Sequence, residues 1–285
     1  MEPTLLEKKI VKSVSVKKDS KFVPILFITI TVLFLSLFLL LPLVTIFMKA
    51  FERGIDVYIA AVTDQEAFLA IRLTLLVALI VVPLNTVFGI AAAWLITKFQ
   101  FKGKQVLLSL IELPFAVSPV IAGLVFVLLF TPRAAFGGWL LEHGIKLIFS
   151  VPGIIIATIF VTFPFVAREL IPFMQTQGKS EEEAALSLGA SGWKMFWRVT
   201  LPNIKWGLLY GMILCNARAI GEFGAVSVVS GHVRGMTNTM PLHIEILYNE
   251  YQFSAAFAVA TLMSLIAVFT LVIKNWIEWR MEKRQ

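Results

Sequence analysis

The chain alternates between long apolar runs and short polar segments. Five apolar runs approach or exceed the length of about 20 residues that a helix needs to cross a hydrocarbon core about 30 Å thick. A sixth run has the same length but contains Arg218 and Glu222. The pattern predicts an all-α integral membrane protein with six transmembrane helices, at about residues 22–48, 73–96, 106–130, 151–172, 206–230 and 253–273.

Composition agrees with this pattern. Hydrophobic residues make up 58% of the chain and charged residues only 15%, and the mean hydropathy is +0.86. These values exclude a soluble globular domain of this length. We therefore expect one transmembrane domain, residues 22–285, behind a basic and disordered tail, residues 1–21.

The positive charges predict the orientation of the chain. With six spans, 18 of the 25 Lys and Arg residues fall on the face that also carries both termini. Basic residues are retained on the cytoplasmic side, so both termini are expected there. This distribution explains the net charge of +7 as topology and attraction to lipid headgroups, without nucleic-acid binding.

Four prolines, Pro83, Pro114, Pro119 and Pro164, lie within the predicted spans. Each removes a helix hydrogen bond, so we expect bends at these positions. The pattern leaves open whether the bends are hinges or simple kinks.

The polar loop of about residues 173–205 separates the fourth and fifth spans. Ser180 and Glu183 fit a capping box, which predicts a helix from about Glu181. Gly189 supplies a left-handed stop, and Ser191 is placed to cap a second short helix. That second helix continues until Pro202 ends it or begins the next span.

The first loop helix carries a narrow apolar stripe of Ala184, Ala185 and Leu188. Alanine allows another backbone to approach closely, so the stripe predicts a protein-docking surface. The aromatic second helix also fits an amphipathic helix lying on lipid, with Trp193 and Trp197 at headgroup level. Lipid does not explain the acidic first helix, which an anionic membrane repels.

The loop resembles the EAA loop of binding-protein-dependent ABC importer permeases. Glu183-Ala184-Ala185 is followed, after three residues, by Gly189. After nine further residues comes Val199, and after one more comes Leu201-Pro202. The family usually has isoleucine in place of Val199. The resemblance implies a type I ABC importer permease fold with a cytoplasmic coupling helix that docks on an ATPase. The implied coupling residues are Glu183, Ala184, Ala185, Leu188, Gly189, Val199, Leu201 and Pro202.

Two charges interrupt the fifth predicted span. Arg218 and Glu222 stand four residues apart, on one helix face, and can form an ion pair. An unpaired charge at mid-membrane costs about 2.5 to 3.5 kcal/mol, so both should face protein or an aqueous path. Gly221 and Gly224 permit close approach. The pair is either the gate or wall of an anion path or a static packing element.

The segment from Ala217 to Leu242 narrows the family. Its ARAIGEFG core resembles permeases for tetrahedral oxyanions, both molybdate and sulfate. Its continuation, with residues 114–126 and 163–174, resembles the W-type (CysW) subunits of sulfate/thiosulfate importers. The resemblance implies the bacterial cytoplasmic (inner) membrane, a T-type permease partner, an ABC ATPase dimer and an extracytoplasmic sulfate/thiosulfate-binding protein. A molybdate-type permease remains the alternative.

No nucleotide site is expected in this chain. Residues 178–180 imitate the end of a phosphate-binding loop, but Phe173 stands where glycine is required. We expect the chain to bind no cofactor, with ATP and Mg used by the partner ATPase.

Two other classes of protein are less favoured. An enzyme or metal protein is disfavoured because His143, His232 and His243 fit no catalytic or metal motif. An ion-coupled secondary transporter using Arg218 and Glu222 is the remaining alternative. The coupling loop argues against it, because a secondary transporter needs no ATPase.

Overall fold

A computed structural model describes residues 22–282, and all regular structure within that range is helical. The predicted basic tail, residues 1–21, lies outside the described residues. The helices are α1 (Phe22–Leu35), α2 (Leu41–Phe51), α3 (Ile55–Thr63), α4 (Gln65–Lys98), α5 (Lys104–Ala116), α6 (Pro119–Phe130), α7 (Ala135–Glu142), α8 (Val151–Gln177), α9 (Ser180–Ser187), α10 (Gly192–Met195), α11 (Leu201–Ile220), α12 (Gly224–Val229), α13 (Met240–Asn249) and α14 (Phe253–Glu282).

The chain divides into two compact units, the first ending at Met48 and the second beginning at Lys49. The described part of the first unit is one helical run, in which a π-helical turn, Ser36–Leu40, joins α1 to α2. None of the residues of α1 is buried. A continuous apolar surface of this kind is stable against lipid or another protein rather than water.

Helix α8 is the central element of the second unit, and it packs against α4, α5, α11 and α12. Glycines allow close approach at these crossings. A Cβ atom on Gly89 of α4 would lie only 2.6 Å from Cγ1 of Val166. On α11, Gly207 faces Phe173 and Gly211 faces Val166. Small residues four positions apart are the usual means by which membrane helices pack tightly.

The predicted third span, residues 106–130, is two helices bent by 104°. The break lies at Val117 and Ser118, which are both extended, with ψ near 133° and 132°. The ring of Pro119 disfavours helical geometry at the residue before it, and proline is well suited to the first turn of a new helix. Pro83 and Pro164, in contrast, lie inside unbroken helices.

Four helical runs in the described residues are long and apolar enough to span a membrane: Phe22–Phe51, Gln65–Lys98, Val151–Gln177 and Phe253–Arg280. The bent pair α5 and α6 makes a fifth if it is one span. The expected count of six is compatible with this result but is not confirmed by it. The predicted fifth span, 206–230, is not one helix, because α11 ends at Ile220 and α12 begins at Gly224.

Candidate functional site

The first helix of the polar loop is α9. It begins at Ser180, one residue before the expected start, and Lys179 is its N-cap residue without a side-chain cap bond. The predicted capping box is therefore wrong, because Ser180 already has helical geometry. Three glutamates in the first turn stabilise this end of the helix instead, through the positive end of the helix dipole.

Gly189 ends this helix as expected. Its φ is +84°, in the left-handed region. The N–H of Ala190 donates to the carbonyl of Ala185 at 3.0 Å, and the N–H of Gly189 donates to that of Leu186 at 2.9 Å. This pair of bonds is a Schellman motif, which needs a left-handed residue at the position of Gly189.

Much of α9 and the following turn is open to solvent. Leu188 is 89% exposed, and Glu183 and Ala184 are exposed, whereas Ala185 is half-buried. Trp193 is 72% exposed in the next helix. Leu188 and Trp193 together leave apolar surface exposed in this loop, where another protein or lipid can cover it.

The second loop helix runs into the fifth predicted span without a break. Ser191 caps it, accepting a hydrogen bond from the N–H of Lys194 at 3.4 Å. A π-helical turn, Phe196–Thr200, contains Val199 and leads directly to Leu201 at the start of α11. Pro202 follows in the first turn of α11. One helical segment thus extends from residue 192 to residue 220.

Sequence reasoning missed the residues that hold α9 to the rest of the chain. Glu182, rather than Glu183, faces inward, and its carboxylate is 2.8 Å from Nζ of Lys98 at the end of α4. Thr200 also donates to Glu182, at 2.6 Å. Lys98 is distant in sequence, and no local pattern distinguishes Glu182 from its two neighbours. The only available signal was the run of three glutamates, because consecutive residues of a helix point in different directions.

Arg218 and Glu222 form the expected ion pair, at the break between α11 and α12. Nη1 of Arg218 lies 2.7 Å from Oε2 of Glu222; the arginine side chain is 32% exposed and the glutamate 1%. The other oxygen, Oε1 of Glu222, accepts the N–H of Ala225 at 2.9 Å. The carboxylate therefore joins the end of α11 to the start of α12.

The two glycines beside the pair differ. A Cβ atom on Gly224 would lie 2.9 Å from Cβ of Pro119, so Gly224 does permit the close approach of α12 to α6. Gly221 has only the carbonyl of Ala217 nearby, at 3.5 Å, and is not part of a tight contact. On the facing helix, a Cβ on Gly123 would lie 2.7 Å from the carbonyl oxygen of Ala225.

We expect Gly123→Ala to destabilise the packing of α6 on α12 by about 1 to 3 kcal/mol, because the clash is with backbone and cannot be relieved by a side-chain rotation. Gly221→Ala is the matched control, since its Cβ would meet only ordinary contacts. Thermal stability of the purified protein in detergent measures both. Equal stability of the two variants would contradict the close contact.

The segment after α12 is tied to the start of α4. Arg234 pairs with Glu66, 3.2 Å away, and with Glu250. Met240 N–H donates to Oγ1 of Thr74 at 2.8 Å. His243 is buried, and this burial lowers the pKa of its imidazole against the opposing effect of nearby carboxylates. No His, Cys, Asp or Glu group that could hold a metal occurs in the described range.

Comparison with known proteins agrees with this architecture. Residues 85–283 match the family model described as "Binding-protein-dependent transport system inner membrane component". The sulfate transport system permease protein CysW of Escherichia coli K12 is 53% identical over 247 residues, which cover 87% of this chain and 85% of that protein. The CysW protein of Synechocystis sp. is 52% identical over 90% of this chain and 92% of its own length.

More distant relatives extend the comparison. The sulfate transport system permease protein CysT of Escherichia coli K12 is 34% identical over 89% of this chain and 92% of its own. A chain of a bacterial alginate ABC transporter, crystallised with an alginate pentasaccharide-bound periplasmic protein, has a TM-score of 0.77 at 18% identity, over 91% of this chain and 95% of that chain. The alginate transporter chain and the present chain share the type I permease fold. This chain therefore belongs to the family of binding-protein-dependent transport system inner membrane components, and is a permease rather than an enzyme.

Proposed function

We propose that this chain is a permease subunit of an ATP-driven ABC importer that moves sulfate or thiosulfate into the cell. The observation that carries this proposal is the identity of about half of all aligned residues with sulfate permeases, over most of both chains. The exposed helix α9 supports an external source of energy, because it offers a docking surface beside a helical segment that continues to the Arg218–Glu222 pair.

An external energy source fits the chemistry of the cargo. Sulfate is a dianion, and moving it into a negatively polarised cell costs about 2.3 kcal/mol per charge per 100 mV. We infer that α9 docks on an ATPase through Glu183, Ala184, Ala185, Leu188 and Gly189. Displacement of α9 then reaches Arg218 through Val199, Leu201 and Pro202, because the connecting segment, residues 192–220, is continuously helical.

The Arg218–Glu222 pair is proposed to line the anion path. Arg218 is partly exposed while Glu222 is buried. The cation is thus the member of the pair available to a dianion, and the carboxylate, whose charge repels a dianion, is withdrawn into the protein. Glu222 orients the guanidinium and neutralises it when no anion is present. Gly221 and Gly224 flank the carboxylate at the helix break, where backbone geometry can change.

The proposed assembly comprises this chain, a T-type permease, an ABC ATPase dimer and an extracytoplasmic sulfate/thiosulfate-binding protein. It lies in the bacterial cytoplasmic (inner) membrane with both termini of this chain in the cytoplasm. ATP and Mg are used by the ATPase, and this chain holds no cofactor.

The test is uptake of labelled sulfate by proteoliposomes that contain the complete transporter. Uptake should require ATP and the binding protein, should be inhibited by thiosulfate, and should persist when an uncoupler is added at constant ATP. Uptake that collapses with the uncoupler would favour an ion-coupled transporter, and uptake inhibited by molybdate alone would favour a molybdate-type permease.

Arg218→Gln should lower uptake at least about tenfold, because loss of one cation from an anion path removes about 1.4 kcal/mol or more of attraction. Because the change also leaves the buried carboxylate of Glu222 without its partner, uptake is measured per assembled complex, quantified by the copurified ATPase. Normal uptake by this variant would reduce the pair to a packing element.

A further inference from the structure

A polar cluster connects α9 to two spans at once. Lys98, the last residue of α4, pairs its Nζ with Oε2 of Glu182 at 2.8 Å. The other carboxylate oxygen of Glu182 accepts the hydroxyl of Thr200 at 2.6 Å, within the π-helical turn that leads into α11. The paired side chains are only 10% and 12% exposed. The carboxylate of one glutamate thus holds α9 between α4 and α11.

Further hydrogen bonds surround this contact. Nζ of Lys98 also donates to the carbonyl of Gly178 at 2.7 Å, and Nζ of Lys179 donates to the carbonyl of Lys98 at 2.9 Å. The side-chain amide of Asn203 in α11 donates to Glu181, and the backbone carbonyl of Asn203 accepts a hydrogen bond from Nε2 of Gln177 at 2.9 Å. All of these residues except Lys179 line a polar cavity of about 290 Å³. The contacts cross from α4 to the end of α8, to α9 and to α11.

The two sides of α9 therefore have different tasks. Glu183 and Leu188 are exposed and free to meet a partner, whereas Glu182 is committed to the chain itself. A hydrogen-bonded ion pair that is mostly shielded from solvent keeps its geometry better than a fully exposed pair, because separating it leaves each charge without its partner. A rigid link of this kind transmits displacement as well as holding position.

We propose that Lys98 and Glu182 form a transmission clamp, which carries a displacement of α9 to α4 as well as to α11. One docking event then moves two spans together, and both of these spans pack on the central helix α8. The proposal rests on the proposed function only in taking a separate ATPase as the source of the displacement. Lys98 and Glu182 are positioning residues, since they act through α4 and α11 and not on the cargo.

The first experiment measures coupling. In proteoliposomes with the complete transporter, Lys98→Met should lower sulfate transported per ATP hydrolysed by about tenfold, as loss of a coupling free energy of about 1.4 kcal/mol requires. ATPase copurification should remain at the wild-type level, and Glu182→Gln should act in the same direction. The double charge exchange Lys98→Glu with Glu182→Lys should recover part of the ratio lost in each single charge reversal.

A matched control is available four residues away. Lys102 is exposed and lies in the same connection between α4 and α5, so Lys102→Met should leave the ratio at the wild-type value. A wild-type ratio in Lys98→Met would overturn the clamp. Loss of ATPase copurification in Lys98→Met would also overturn it, because the lysine would then serve docking.

A second experiment does not depend on the cargo. Spin labels at Ser187→Cys and Gln100→Cys report the distance between α9 and the end of α4, and native Cys215 is fully buried. With the clamp intact, that distance should be the same in nucleotide-free and ATP-trapped transporter; in Lys98→Met it should differ between the two states. A distance that changes in the wild type refutes the clamp. If the wild type took up no sulfate, the proposed cargo would be refuted, but the clamp would not.

Discussion

Gly189→Val is expected to reduce copurification of the ATPase subunit at least about tenfold while the chain still inserts and folds. A β-branched residue is a conformational outlier at a φ of +84°. Apart from its own chain neighbours, no atom lies within 4 Å of the position that the Cβ would take. The cost is therefore purely local, about 1 to 2 kcal/mol of backbone strain. Relief of that strain unwinds the Schellman motif and redirects α9.

Two controls separate docking from folding. Gly103→Val places the same side chain at another exposed glycine with φ of +92° and open space around it, outside the loop that contains α9, so the ATPase should be retained. Gly189→Asn should keep most of the binding, because asparagine tolerates the left-handed region. Affinity purification through this chain, followed by quantification of the ATPase, measures all three. Equal retention of ATPase by Gly189→Val and Gly103→Val would remove α9 from the docking surface.

Glu222→Ala is expected to destabilise the chain by about 2 to 4 kcal/mol. The change leaves the guanidinium of Arg218 without its partner and the N–H of Ala225 without its acceptor, and removing one member of a buried pair is strongly destabilising. The figure is below that for a fully buried pair because Arg218 is 32% exposed. Thermal unfolding in detergent, followed by size-exclusion chromatography, measures the loss.

The pair Lys274–Glu278 provides the comparison. It has the same spacing of four residues, but its members are 3.5 Å apart and 25% and 38% exposed. Glu278→Ala should therefore cost less than about 1 kcal/mol. The double variant Arg218→Met with Glu222→Ala should be more stable than Glu222→Ala alone, because no uncompensated charge remains. Equal losses in Glu222→Ala and Glu278→Ala would show that the buried carboxylate has no special role.

Local sequence was a good guide where a single residue sets the backbone. Gly189 and Ser191 are found in the left-handed and capping roles expected of them, because these roles depend on neighbours within four residues. Ser180 failed as a cap because several residues there are acceptable first positions. Small differences in free energy between these positions then decide where the helix starts. Contacts contribute to them, such as the hydrogen bond from Nζ of Lys179 to the carbonyl of Lys98 in α4.

Periodicity could not locate breaks within apolar runs. Residues 106–130 read as one span because most of their side chains are apolar, yet the ring of Pro119 disfavours helical geometry at the preceding residue, and the helix turns by 104° there. Residues 206–230 likewise read as one span. Their interruption after Ile220 coincides with Glu222, whose carboxylate satisfies an N–H at the start of α12.

The sequence by itself determined the membrane environment, the helical class, the polar loop with its docking pattern, and the spacing that pairs Arg218 with Glu222. These depend on hydropathy and on short-range geometry, which a linear chain displays. Only the tertiary structure decided which of three adjacent glutamates faces inward and which lysine it meets. Lys98 and Glu182 lie 84 positions apart, and they meet because α4 packs along α8, whose end leads directly into α9. Contacts across a helix bundle follow from packing, and no local pattern of residues encodes them.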